Sequence, residues 1–150
     1  MPIENCYNFR PITADLTTSG VVGTQRLQGL SAEGYEVVIN LLPDNSEQAV
    51  ADERDIVESQ GMEYVHIPVD FQHPTAADFQ AFARSLDTVQ GRKVHIHCAA
   101  NYRVSAFYAH YAKVQGLWSE TEAEAFVRGL WEPQDYPGWP EFLAALKDAI

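Results

Sequence analysis

Three apolar runs, "YEVVINLL", "EYVHIPV" and "KVHIHC", alternate along this chain with segments of helical pattern, and that alternation most constrains its fold. The first run is continuous, rich in β-branched residues, and bounded by Gly34 and by Pro43–Asp44, which reads as a strand buried on both faces. Strands that alternate with helices imply right-handed crossovers and a parallel sheet covered on both sides, an α/β class.

The intervening signals predict the helices. Thr24 opens one through about Glu33, which Gly34 ends, and a second runs from Ser46 to Gln60, closed by Gly61. Thr75 in "PTAAD" starts a capping-box helix that continues to Gly91. Further helices follow at Arg103–Gln115, at Ser119–Leu130 behind the box "SETE", and at Trp139–Ile150. The early stretch "NFRPITADLTTSG" reads only as a short apolar-polar segment. Repeats, low-complexity tracts and linkers are lacking, so the sequence predicts a single domain over residues 1–150.

A chain of this length can bury roughly 68–70% of its unfolded surface without disulfides. Its two cysteines, Cys6 and Cys98, have neither zinc-site nor disulfide spacing, which suits a reducing compartment. The N-terminus carries no secretory pattern and no apolar run approaches a membrane span, so a soluble, cytoplasmic protein is expected, with no membrane partner. Against 10 Lys and Arg stand 21 Asp and Glu, and the net charge of −11 repels a polyanion, which argues against nucleic acid. Any anion site must therefore be local, built from backbone N–H groups and an arginine.

Such a place exists. In open α/β sheets, ligands bind beyond the carboxyl ends of the strands, and Cys98 ends the third run. A loop that leads into a helix presents unpaired N–H groups and the positive end of the dipole, which favours an anion and a thiolate. Against this stands the small buried hydrophobe that a free cysteine commonly is.

The residues "HIHCAANYRVSAF" resemble the phosphate-binding loop of the protein tyrosine phosphatase superfamily, a His-Cys pair followed by an arginine and a hydroxyl residue. Upstream, "VVINLLPDN", "YVHIPVDF" and "VHIHC" resemble, in order, the core of small dual-specificity phosphatases, over roughly residues 9 to 115, and "TADLTTSG" and "LSAEGYEVVINL" look like a small bacterial branch of unassigned substrate. The resemblance implies a three-layer fold with a central, mostly parallel sheet flanked by helices. It also implies a catalytic set: Cys98 as nucleophile, Arg103 as clamp on two phosphoryl oxygens, and Asp70 as general acid on a mobile loop. Ala99, Ala100, Asn101, Tyr102, Val104 and Ser105 would complete the anion loop, the Ser105 hydroxyl would help the leaving thiolate, and His97 would support the loop from beneath. No cofactor or metal is implied; the expected partner is a phosphorylated small molecule or phosphoprotein.

The loop departs from the family pattern. Four residues separate Cys98 from Arg103 where the family has five, Val104 intervenes before Ser105, and the loop has no glycine. Asn101 is then the residue best able to take a positive φ. A ring of this length looks like the shorter loop of rhodanese sulfurtransferases, which holds one sulfur atom. The leading reading is a phosphatase-like hydrolase of phosphomonoesters. A catalytically silent domain that binds a phosphate or sulfate ligand, and a persulfide sulfurtransferase, remain as alternatives.

Three other constellations carry less. His95 and His97 share one strand face, and with His66 and Asp70 could approach a metal, but no further ligand signature joins them. Phe107, Tyr108 and Tyr111 lie at helical spacing and read as core. Trp131, Tyr136 and Trp139 are expected to pack the last helix.

Overall fold

The computed structural model describes residues 1–149. Its strands are β1 (Arg10–Thr13), β2 (Leu16–Ser19), β3 (Val37–Asn40), β4 (Glu63–His66) and β5 (Val94–His97). They form one sheet in the order β1-β2-β5-β3-β4, in which only the β1–β2 pair is antiparallel. β3 and β5 are buried along their whole length, as their unbroken apolar runs predict, because strands inside a doubly covered sheet have no solvent face. The expected α/β, mostly parallel architecture is what forms.

The helices are α1 (Thr24–Gln28), α2 (Glu53–Glu58), α3 (Ala76–Thr88), α4 (Tyr102–Val114), α5 (Glu120–Arg128) and α6 (Trp139–Asp148). α3 and α5 begin where expected, each with a complete capping box, Thr75 with Asp78 and Ser119 with Glu122. The helix predicted over 139–150 is seen to Asp148, and its last residue lies outside the described residues.

Three expectations change. The helix predicted over Thr24–Glu33 stops at Gln28, caps on Gly29 and resumes only as a 3-10 turn at Ser31–Glu33, since glycine favours leaving the helix. The helix predicted over Ser46–Gln60 starts at Glu53. Ser46 instead folds its hydroxyl onto the Gln48 amide, a local bond that competes with helix formation. The segment "NFRPITADLTTSG" carries the β1–β2 hairpin, whose strands are short and only partly alternating and therefore lack a strong periodic signal.

Two apolar clusters sandwich the sheet. One holds Phe82, Phe107, Tyr111, Trp131, Trp139 and Phe142 beneath α3, α4 and α6. The other holds Leu27, Leu30, Tyr35, Val38, Val57 and Tyr64 beneath α1 and α2. Cys98 and Val104 belong to the first, while the alternation of β5 turns His95 and His97 to the opposite face.

Candidate active site at the end of β5

Cys98 leaves β5 at the carboxyl edge of the sheet, between the two inner neighbours β2 and β3, and Ala99–Asn101 lead directly into α4. Among the described residues, no acceptor meets the backbone N–H groups of Ala99, Ala100, Tyr102, Arg103 or Val104, while Asn101 takes part in the antiparallel bridge between Gly20 and Ala100 that ties the loop to the end of β2. The first turn of a helix leaves such donors unmatched, and here they lie on both sides of Asn101 just after the cysteine.

The loop is held from behind by the N-terminal segment. Asn101 takes φ 67° and ψ 12°, the left-handed conformation expected of it, and is fully buried. Its Nδ2 donates to Asn8 O (3.0 Å) and Thr18 Oγ1 (2.9 Å), while Asn8, also left-handed, donates its own Nδ2 to Ala100 O (2.9 Å). The Thr18 hydroxyl donates to Arg10 O, so it can only accept from Asn101, which fixes the amide orientation and leaves Asn101 Oδ1 buried without a partner. Gly20 closes the clamp: Val21 N donates to Ala99 O (2.9 Å), and a Cβ at Gly20 would lie 2.5 Å from that same carbonyl oxygen.

Arg103 projects from the first turn of α4. Its guanidinium carbon lies 5.2 Å from the Phe71 ring centroid, and Nε and Nη1 are buried with no hydrogen-bond partner. Burial lowers its pKa below the usual arginine value; Cys98 and Asp70 act in the opposite sense. Cys98 follows β5, Asp70 lies in the turn after β4 and Arg103 stands in the first turn of α4, so the parallel strands bring all three to the carboxyl end of the sheet. Buried donors left bare beside a cysteine are costly unless a ligand meets them.

Asp70 lies on an exposed turn after β4, with Oδ1 accepting from Gln72 N (2.9 Å) and Oδ2 3.6 Å from His73 Nδ1. The turn is anchored by its neighbour. Trp139 Nε1 donates to Phe71 O (2.8 Å), and the Phe71 ring packs among Tyr102, Trp131, Tyr136 and Trp139. Tyr102 itself stacks parallel on Trp131 at 4.7 Å. The C-terminal aromatics thus pack, as expected, and serve as the wall of the site.

Two residues expected in the anion loop point elsewhere. The Val104 side chain is fully buried in the apolar cluster, leaving only its N–H for the loop. The Ser105 hydroxyl donates to Tyr102 O (3.0 Å) and accepts from Trp131 Nε1 (3.1 Å), a bridge between α4 and the aromatic wall. The intervening Val104 rotates Ser105 a further ~100° around the helix from Arg103, compared with an adjacent hydroxyl residue.

His97 lies beneath the loop, its Nδ1 3.5 Å from Cys98 O. Its Nε2 meets Glu53 Oε2 at 2.6 Å, and both side chains are almost wholly buried. Glu53, the first residue of α2, carries no motif that marks it in the sequence; neither do Asn8, Thr18 and Gly20. His95 is fully buried, and its bonds form a directed chain. Ser19 Oγ donates to Gly20 O, so His95 Nε2–H must donate to Ser19, and Nδ1 accepts from Thr17, whose oxygen accepts from Tyr35. Burial, with His97 adding to it, pushes the His95 pKa well below the histidine range, in accord with this neutral tautomer. His66 turns to Leu42 O. The four candidate metal ligands therefore do not converge, and among the described residues no group of three or more His, Cys, Asp or Glu does.

Comparison with known proteins agrees with this geometry. The chain is 33% identical over 117 residues to the beta-lactamase hydrolase-like protein of Xylella fastidiosa, a match covering 76% of this chain and 27% of that protein. It thus spans about a quarter of the length of such curated relatives. A candidate phosphatase of Shewanella putrefaciens CN-32 superposes with TM-score 0.88 at 35% identity, covering 98% of this chain and 95% of the other. Tk-PTP in its active form shares the fold, with TM-score 0.74, 23% identity, and coverage of 95% and 98%. Residues 8–114 match the phosphatase-like domain of beta-lactamase hydrolase-like protein, and the chain belongs to that family.

Proposed function

We propose that the chain hydrolyses a phosphomonoester, on a small molecule or a phosphoprotein, through a cysteinyl-phosphate at Cys98. The observation that carries this reading is Arg103, whose Nε and Nη1 are buried and unmatched beside Cys98 and the free N–H groups of Ala99, Ala100, Tyr102, Arg103 and Val104. A tetrahedral dianion in that space supplies acceptors to both sets of donors at once. The Cys98 thiolate attacks phosphorus, the P–O ester bond breaks, and Asp70 gives its proton to the departing oxygen. Asp70, now a carboxylate, takes a proton from water as the water displaces sulfur, releasing inorganic phosphate and the thiolate. With the Ser105 hydroxyl engaged, stabilisation of the leaving thiolate falls to the α4 N-terminus and His97.

The test is hydrolysis of p-nitrophenyl phosphate together with vanadate binding. Cys98→Ser is expected to abolish turnover while keeping the fold, and Arg103→Lys to weaken vanadate binding by about 1.5–3 kcal/mol, because an ammonium lacks the planar fork. Turnover undiminished in Cys98→Ser refutes the mechanism. Vanadate binding without hydrolysis by the wild type identifies a silent anion-binding domain instead.

A further inference from the structure

The outer face of α4 borders an open cleft of about 250 Å³, flanked by α5, α6 and the turn at 132–134. Its floor is built of small or apolar residues, Ala106, Ala109, Ala123, Val127, Leu143 and Ala144, whose short side chains leave the gap between the helices unfilled. His110 borders it from α4 and is only 7% exposed; its ring nitrogens form no hydrogen bond among the described residues and are not sealed in the interior as the Arg103 nitrogens are. Its ring packs edge-on against Phe79 at 4.8 Å.

Lys113 follows three residues later on the same face. Among the described residues it forms no ion pair, whereas the other cations of the rim are matched, Arg128 with Glu124 and Glu132, and Lys147 with Glu120. Burial, then Lys113 and Lys147, push the His110 pKa down to about 4, so near neutrality it offers one N–H donor and one acceptor.

We infer that this cleft, separate from the Cys98 site, is a binding site for a small carboxylate with an apolar body. The Lys113 ammonium and the His110 N–H receive the carboxylate, and the alanine-lined floor receives the body. A cleft of about 250 Å³ admits a small acid and is too small for a large ligand. A polyanion is disfavoured, because Glu124 and Glu132 share the rim.

Hexanoate is the probe, followed by amide chemical shifts of the whole chain at pH 7. Saturable shifts of Ala109, Ala123 and Ala144 are expected, with about 10-fold weaker binding in Lys113→Met and for hexan-1-ol, which has the chain without the charge. No shift at these amides overturns the inference. So does equal affinity in Lys113→Met, equal affinity for the alcohol, or a response confined to residues 98–103. None of these readings depends on turnover at Cys98.

Discussion

Breaking the Glu53–His97 contact tests whether α2 supports the candidate site or merely covers it. The two side chains are 4% and 3% exposed and meet at 2.6 Å, so neither is hydrated and each is the other's compensation. Removing one partner of such a pair strands the other in the interior, at a cost of about 3–5 kcal/mol. A domain's whole stability is roughly 5–15 kcal/mol, so Glu53→Leu and His97→Phe should each lower the urea midpoint severely. Replacing both by apolar groups leaves nothing stranded, and such exchanges come out near neutral. The double variant is therefore expected to recover most of the loss, with a coupling energy of at least ~2 kcal/mol. Urea unfolding followed through the fluorescence of Trp131 and Trp139, both in the buried aromatic cluster, measures all corners of the cycle. Costs that add to within about 0.5 kcal/mol would mean the two groups do not sense each other and would refute the reasoning.

Gly20→Ala should destabilise the fold by about 1–3 kcal/mol and loosen anion binding, because the new methyl meets the loop backbone, Ala99 O at 2.5 Å and Ala100 Cα at 2.9 Å; an unchanged urea midpoint and vanadate affinity would rule out the close approach. Acid should weaken the fold through His95 and His110. Both are neutral when folded and ionise near ~6.5 when unfolded, so their stabilisation is full above that pH and is lost as pH falls below it, for His110 down to about 4. For His110 the loss is on the order of 2–3 kcal/mol, and His110→Phe should flatten the pH dependence of the urea midpoint between those values; an equally steep variant contradicts this assignment. Iodoacetamide at pH 6 should alkylate Cys98 faster than Cys6, whose thiol burial pushes up, and equal rates in the folded chain would remove the case for a reactive Cys98.

Much of the architecture was legible in local pattern. β3 and β5 announce themselves as unbroken apolar runs because burial on both faces leaves no polar alternation to read. α3 and α5 announce their starts because a capping box is a contact between residues three apart. Cys98, Asn101 and Arg103 could be found the same way, since the loop that holds them is one short contiguous stretch ending in a helix. The left-handed Asn101 follows from the absence of any glycine there.

What tertiary structure alone decided are the contacts between residues far apart in sequence. Glu53 reads as an ordinary acidic residue in an acidic segment until α2 lays it against His97, 44 positions away. Asn8 and Thr18 become the clamp on the loop only because β2 pairs with β5 and brings the N-terminal segment behind Ala100. The same holds for Ser105, whose hydroxyl was claimed by Trp131 from 26 positions on. Helix periodicity and caps depend on neighbours within a turn or two and are written in the chain. The partner of a buried polar group depends on which distant backbone arrives beside it, and burial makes that choice obligatory, because an unpaired polar group in the interior costs more than the bond that satisfies it.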